Sequence, residues 1–163
     1  MTEDQQFMTL AIQQAEFAAS LGEVPVGAVL VRHGEVIAAG YNRREIDKDP
    51  LAHAELLCIK QASLALGGWR IPQSTLYVTL EPCPMCAGGI LNARIDRVVY
   101  GAKDPKAGSV DSVVQLYQLP YNWKPQVTGG VLEEDCAELL RRFFAQLRER
   151  RKKSGGWNRS PKD

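Results

Sequence analysis

The sequence predicts an α/β fold in which helices cover both faces of one sheet. Two observations carry this. Short runs of β-branched and apolar residues recur along the chain, and between them lie stretches with helical periodicity. The later strand runs are separated by helical stretches instead of tight turns, and each such stretch must cross a sheet face.

The elements follow in order. Thr2-Glu3-Asp4-Gln5 reads as a capping box. Phe7, Leu10, Ala11, Ala15, Ala18 and Leu21 then recur at helical spacing, with Gly22 as the stop. Val26 to Val31 is a strand run. His33-Gly34 is a tight turn into Val36–Ala39, so the two runs form an antiparallel hairpin. Gly40 to Leu51 is polar and reads as a loop. Ala52 to Leu66 is helical in pattern and ends at Gly67-Gly68. Thr75–Leu80 is a strong strand that leads into Pro82-Cys83-Pro84-Met85-Cys86. Pro84 suits a first helical turn, so a helix is expected from Pro84 to Ala93. Arg97–Tyr100 is a short strand, Gly101 to Ser109 a loop, and Val110–Leu119 a short helix. Val127–Leu132 is read as a fifth strand, weakened by its two glycines. Glu133–Lys153 is a long amphipathic helix with Leu139, Leu140, Phe143, Phe144 and Leu147 on its apolar face. The expected order is α-β-β-α-β-α-β-α-β-α.

A length of 163 residues favours one domain with a real core, and we assign it to residues 1–153. Residues 154–163, with Gly155-Gly156 and Pro161, read as a flexible tail. Twenty basic residues against nineteen acidic ones leave a net charge of +1. That excludes a protein that coats nucleic acid by charge alone, though not a local basic patch. The polar, acidic start is not a signal peptide, and no apolar run reaches the length of a membrane span. A cytoplasmic protein is the expectation. In a reducing compartment, a close cysteine pair points to metal or redox chemistry.

Two segments carry that chemistry: His53-Ala54-Glu55, and Cys83-Pro84-Met85-Cys86, each at the start of a predicted helix. A catalytic zinc takes about three protein ligands and keeps one position for water. One imidazole (His53) and two thiolates (Cys83 and Cys86) meet that need. A helix N-terminus favours the thiolate form. Zinc lowers the pKa of bound water toward about 7 and so supplies hydroxide near neutrality. Glu55 would not bind the metal. It would take a proton from the water and pass it to a leaving amine. On an ideal helix the side chains of His53 and Glu55 diverge by roughly 200°, so they converge only if the site lies over the helix N-terminus. His-x-Glu with Pro-Cys-x-x-Cys is the known signature of zinc deaminases that act on nucleobases.

On these residues the chain resembles the cytidine deaminase-like superfamily and, within it, the bacterial tRNA-specific adenosine deaminases. The resemblance runs from about Phe7 to about Lys152. It includes Val24-Pro25-Val26-Gly27-Ala28-Val29, Asn42, and Asp49-Pro50-Leu51-Ala52-His53-Ala54-Glu55. It continues through Thr79-Leu80-Glu81-Pro82-Cys83-Pro84-Met85-Cys86-Ala87-Gly88, Arg97-Val98-Val99-Tyr100-Gly101-Ala102 and Asp104-Pro105-Lys106-Ala107-Gly108. Phe143-Phe144 and the basic end of the last helix complete it. The resemblance implies a three-layer α/β/α sandwich with a five-stranded mixed sheet. It implies a homodimer with one zinc per subunit and hydrolytic conversion of adenosine to inosine at the wobble position of a tRNA anticodon, typically of an arginine tRNA. An unpaired loop base can be splayed into a pocket, as RNA loop recognition requires. By the same resemblance, Asn42 contacts the target nucleotide, and Asp104, Lys106 and Asn122 lie near the anticodon loop.

Other readings stay open from the sequence. Cys83 and Cys86 also fit a thiol redox pair, which leaves His53 and Glu55 without a role. A structural zinc would want a fourth ligand from His33, Cys58 or Cys136. The same zinc chemistry serves free guanine, cytosine or a nucleoside. A zinc-stabilised RNA-binding module would have no use for Glu55. The basic cluster Arg141, Arg142, Arg148, Arg150, Arg151, Lys152 and Lys153 is either a solvated helix end that complements the dipole or a phosphate-binding surface.

Overall fold

The computed structural model describes residues 1–154. The reading of a tail concerns residues beyond these, apart from Ser154. The elements are α1 (Glu3–Ser20), β1 (Gly27–Arg32), β2 (Glu35–Tyr41), α2 (Ala54–Leu66), β3 (Ser74–Leu80), α3 (Pro84–Asn92), β4 (Arg97–Ala102), a 3₁₀ turn (Leu116–Gln118), β5 (Gln126–Thr128) and α4 (Glu133–Lys153).

The sheet has five strands in the order β2-β1-β3-β4-β5. β1 runs antiparallel to β2 and to β3, whereas β3, β4 and β5 run parallel. It is the expected mixed sheet. The β1–β2 hairpin turns at His33 and Gly34, both with positive φ. That is the primed turn whose twist matches the strands it joins.

Helices α2 and α3 cover one face of the sheet. Ala54, Cys58, Ala62, Ala87 and Ile90 pack there on Leu30, Leu76, Val78 and Val98. Helices α1 and α4 cover the other, where Met8, Ala11 and Cys136 meet Val29, Tyr77 and Val99. The second face is closely packed. A Cβ on Gly27 would overlap the backbone of α1, and one on Gly101 would overlap the Cys136 sulfur of α4. Glycine there lets each helix lie against strand backbone.

Two predicted elements differ. Val110–Leu119 is not a helix, and only Leu116–Gln118 forms a 3₁₀ turn. The Val113 N–H goes to Gly108 O and the Leu116 N–H to Ser109 O, five and seven residues back instead of the four a helical ladder needs. The fifth strand is Gln126–Thr128 and stops at Gly129 instead of reaching Leu132. Gly129 passes against the Tyr100 ring, where a side chain would overlap. The chain then leaves the strand so that Val131 and Leu132 pack into the α1–α4 layer.

Candidate active site

The site forms where β3 and β4 end and α2 and α3 begin. This is the carboxyl edge of the parallel strands, where α/β sheets commonly hold ligands. Helix α2 begins at Ala54, and His53 is its N-cap, with extended backbone at φ −84° and ψ 150°. Cys83 is the N-cap of α3, and Pro84 occupies the first turn. Two helix N-termini therefore meet, which places His53, Cys83 and Cys86 together.

The His53 Nδ1 atom lies 3.6 Å from Cys83 Sγ and 3.5 Å from Cys86 Sγ. The three donor atoms all lie within 4.8 Å of one another. Nitrogen and sulfur on a tetrahedral zinc, with bonds of about 2.0 and 2.3 Å, stand about 3.5 Å apart. Donor set and spacing both fit zinc. Among the described residues, no fourth His, Cys, Asp or Glu joins this group. Cys58 is buried and donates to the Ala28 carbonyl oxygen at 3.3 Å. Cys136 lies in the opposite layer, and His33 lies in the hairpin turn. A closed four-ligand structural site is therefore not built here. A redox pair would also leave unexplained an imidazole in contact with both sulfurs.

Protonation in the cluster is strongly coupled. The bond from Cys86 draws the Cys83 thiol down to about 4, with burial opposing it and His53 assisting. The same bond, burial and the nearby Glu55 push Cys86 up. His53 is raised mainly by its bond to Cys83. Binding a divalent metal requires both thiolates and a neutral imidazole, so metal and protons compete for these donors.

Glu55 lies in the first turn of α2 and is 3% exposed. Burial pushes its carboxyl up to about 7, while its own backbone N–H and His53 pull it back. A carboxyl titrating near neutrality, beside a three-donor cluster, is suited to accept and return a proton.

A cavity of about 520 Å³ opens above this cluster. His53, Glu55 and Cys83 line it, with Val24, Val26, Asn42 and Arg44 on one side, Lys103–Ala107 on another, and Leu140 and Phe144 of α4 on a third. Asn42 is 7% exposed. Its Nδ2 donates to the Val24 carbonyl oxygen and its Oδ1 accepts from the Arg44 N–H, at 3.2 and 3.1 Å. One amide hydrogen and one lone pair remain for a ligand. Asp104 Oδ1 accepts from the N–H groups of Lys106 and Ala107 and closes the rim turn. Lys106 is exposed at that rim.

The structure does not bring Asn122 to this cavity. Trp123 Nε1, next to it, donates to Ile95 O, and Gln126 N donates to Asp96 O. Both contacts lie where β4 starts, roughly 17 Å of strand from its carboxyl end. Arg141 is also set apart from the basic cluster, because Glu134 and Glu138 of its own helix bind it.

Sequence reasoning missed two buried carboxylates. Glu23, 1% exposed, accepts from the N–H groups of Glu45 and Ile46 at 3.1 and 2.8 Å and so holds the loop after Asn42. Glu81, 2% exposed, holds the loop that bears Asp104. The available signal was position alone, since each carboxylate stands next to a motif: Val24-Pro25 and Pro82-Cys83.

Comparison with known proteins agrees with this geometry. The family model for the cytidine and deoxycytidylate deaminase zinc-binding region matches residues 1–102. The chain is 49% identical over 153 residues to a tRNA-specific adenosine deaminase of Bacillus subtilis, covering 93% of this chain and 95% of that protein. It is 48% identical to one from Agrobacterium fabrum, covering 91% and 98%. A structure solved in a study of A-to-I editing by tRNA:A34 deaminases superposes with a TM-score of 0.81 at 48% identity, covering 83% of this chain and 99% of that one. A guanine deaminase from Nitrosomonas europaea shares the fold, with a TM-score of 0.72 at 24% identity.

Proposed function

The chain belongs to the zinc-binding cytidine and deoxycytidylate deaminase family, and from that premise we propose that it converts adenosine to inosine at the wobble position of a tRNA anticodon, that of an arginine tRNA.

 The observation that carries this is Glu55, a buried carboxylate standing over the His53, Cys83 and Cys86 cluster on the floor of a cavity open to solvent. The relatives that match over nearly the whole chain are named tRNA-specific adenosine deaminases, which supports the reading.

His53, Cys83 and Cys86 hold one zinc per subunit. Zinc there acts as a Lewis acid that makes water a nucleophile near neutral pH. Glu55 takes a proton from the attacking water and delivers it to N1 of the purine. The water oxygen bonds to C6, and the C6–amino bond breaks. Glu55 then takes the proton left on the new C6 hydroxyl and passes it to the departing nitrogen, so ammonia leaves and inosine remains. Asn42 offers its free amide hydrogen and lone pair to the target nucleotide. Asp104 and Lys106 meet the anticodon loop at the rim, where Lys106 suits a phosphate. A bound loop closes the cavity mouth and keeps bulk water from the reacting base. The active protein is a cytoplasmic homodimer. No helix among the described residues is long and apolar enough to cross a membrane.

The test is inosine formation in a synthetic anticodon stem-loop with adenosine at the wobble position, run beside free guanine, cytosine, adenosine and cytidine. Inosine in the stem-loop alone is the expected result. Turnover of a free base or nucleoside alone would keep the zinc chemistry and reject the tRNA substrate. Zinc binding without any turnover would favour a binding module.

A further inference from the structure

Glu81 lies two residues before Cys83, at the end of β3, and is buried. The ion pairs among the described residues do not include it. The loop after β4 meets its charge instead. Oε1 accepts from the Asp104 N–H at 3.1 Å and from the Ser112 hydroxyl at 2.5 Å. Oε2 accepts from the N–H groups of Asp111 and Ser112 at 2.9 and 2.8 Å, and from Val110 at 3.4 Å. Gly108 lies against the same carboxyl group, where a Cβ would overlap it. The Ser109 N–H donates to Pro82 O at 2.9 Å and ties the wrapped loop to the segment that carries Cys83.

We propose that Glu81 is a positioning residue that sets where Asp104 and Lys106 stand over the cavity, and so how tightly the RNA substrate is held. This rests on the tRNA reading above. The rim from Lys103 to Ala107 has no regular helix or strand to hold it. A contact surface of that kind keeps its geometry only through a rigid support behind it. The bond from the Asp104 N–H to Glu81 joins the rim to a buried anchor at the start of the metal-binding segment.

The isosteric change Glu81→Gln separates this role from gross folding. Glutamine keeps the shape but has one acceptor oxygen in place of two. With that oxygen toward Asp111 and Ser112, the amide nitrogen faces the Asp104 N–H and the Ser112 hydroxyl. The hydroxyl can turn to accept, whereas the Asp104 N–H is left unpaired.

Steady-state kinetics on the anticodon stem-loop, with zinc content and melting temperature measured alongside, provide the test. Glu81→Gln is expected to raise KM about tenfold, because a rim released from its anchor must be ordered again each time the RNA loop binds. Its kcat is expected to fall far less, and zinc content to stay at the wild-type level. Gly108→Ala perturbs the same contact from the loop side and should raise KM as well. The two increases combined in one chain should be less than multiplicative. An unchanged KM in Glu81→Gln, a fall in kcat alone, or fully multiplicative effects would overturn the role while the stem-loop remained a substrate. A wild-type protein that did not convert the stem-loop would reject the tRNA reading, and this role with it.

Discussion

Glu55 follows His53 by two positions, a spacing that separates side chains widely on a continuous helix. They come together because His53 is not helical. It caps α2 in extended conformation, and the helix begins one residue later. The imidazole is thus free to turn toward the two sulfurs while Glu55 sits in the first turn, where the helix dipole favours a carboxylate. If Glu55 moves the protons, Glu55→Gln should lower kcat by about 10²- to 10⁴-fold while zinc content and stem-loop affinity stay at wild-type levels. Metal analysis and equilibrium binding on the same preparation check this. Loss of zinc together with activity would make Glu55 a structural residue. At this scale the meeting of His53, Cys83, Cys86 and Glu55 at one cavity was legible, because the motif fixes residue types at particular spacings. Glu23 and Glu81 were not. A carboxylate one or two residues before a proline reads the same whether it is solvated or enclosed by backbone N–H groups from a loop more than twenty residues away.

Among the elements, α1 shows how local and tertiary signals combine. Its capping box forms as read, with Thr2 and Gln5 bonded reciprocally. Its first turn also carries Asp4, whose carboxylate binds Arg97 at 2.9 and 2.7 Å and accepts from the Tyr77 hydroxyl at 2.8 Å. These bonds pin α1 to β3 and β4. Arg97 holds the Asp4 carboxyl below its usual value, against the opposing effect of burial. A folded-state pKa below the unfolded one gives stability that is present above the unfolded pKa and lost as pH falls through the folded one. Asp4→Asn should therefore cost about 1 kcal/mol at neutral pH, or roughly 3 °C in melting temperature. The gap from wild type should close as pH falls below the ordinary carboxylate range. Thermal melts of both chains between neutral and acidic pH test this, and a gap independent of pH would mean that the ion pair contributes nothing. The expected helix at Val110–Leu119 failed for a reason of the same kind. Its Val113 and Leu116 N–H groups bond Gly108 O and Ser109 O as the segment wraps round Glu81, a partner that local periodicity does not contain.

For the whole molecule, the placement of α4 bears on RNA binding. Leu140 and Phe144 line the cavity, and Arg148 and Lys152 follow Phe144 at intervals of four residues. Positions four apart share a helix face, so these exposed cations extend the wall of the cavity away from its floor. Reversing the charge of both should weaken stem-loop binding and reduce the slope of log affinity against log salt by about 2. A salt titration measures this, and an unchanged slope would return the cluster to a solvated helix end. The chain by itself determined the α/β class, nine of the ten expected elements and the zinc-binding constellation. Periodicity, caps and ligand spacing are local properties, and they survive in one dimension. Tertiary structure decided the rest. It set the strand order, ended β5 against the Tyr100 ring, wrapped the Asp104 loop round Glu81 and kept Asn122 at the far end of the sheet. Each of these depends on groups distant in sequence competing for the same backbone donors or the same space, and such competition is resolved only when the chain is packed.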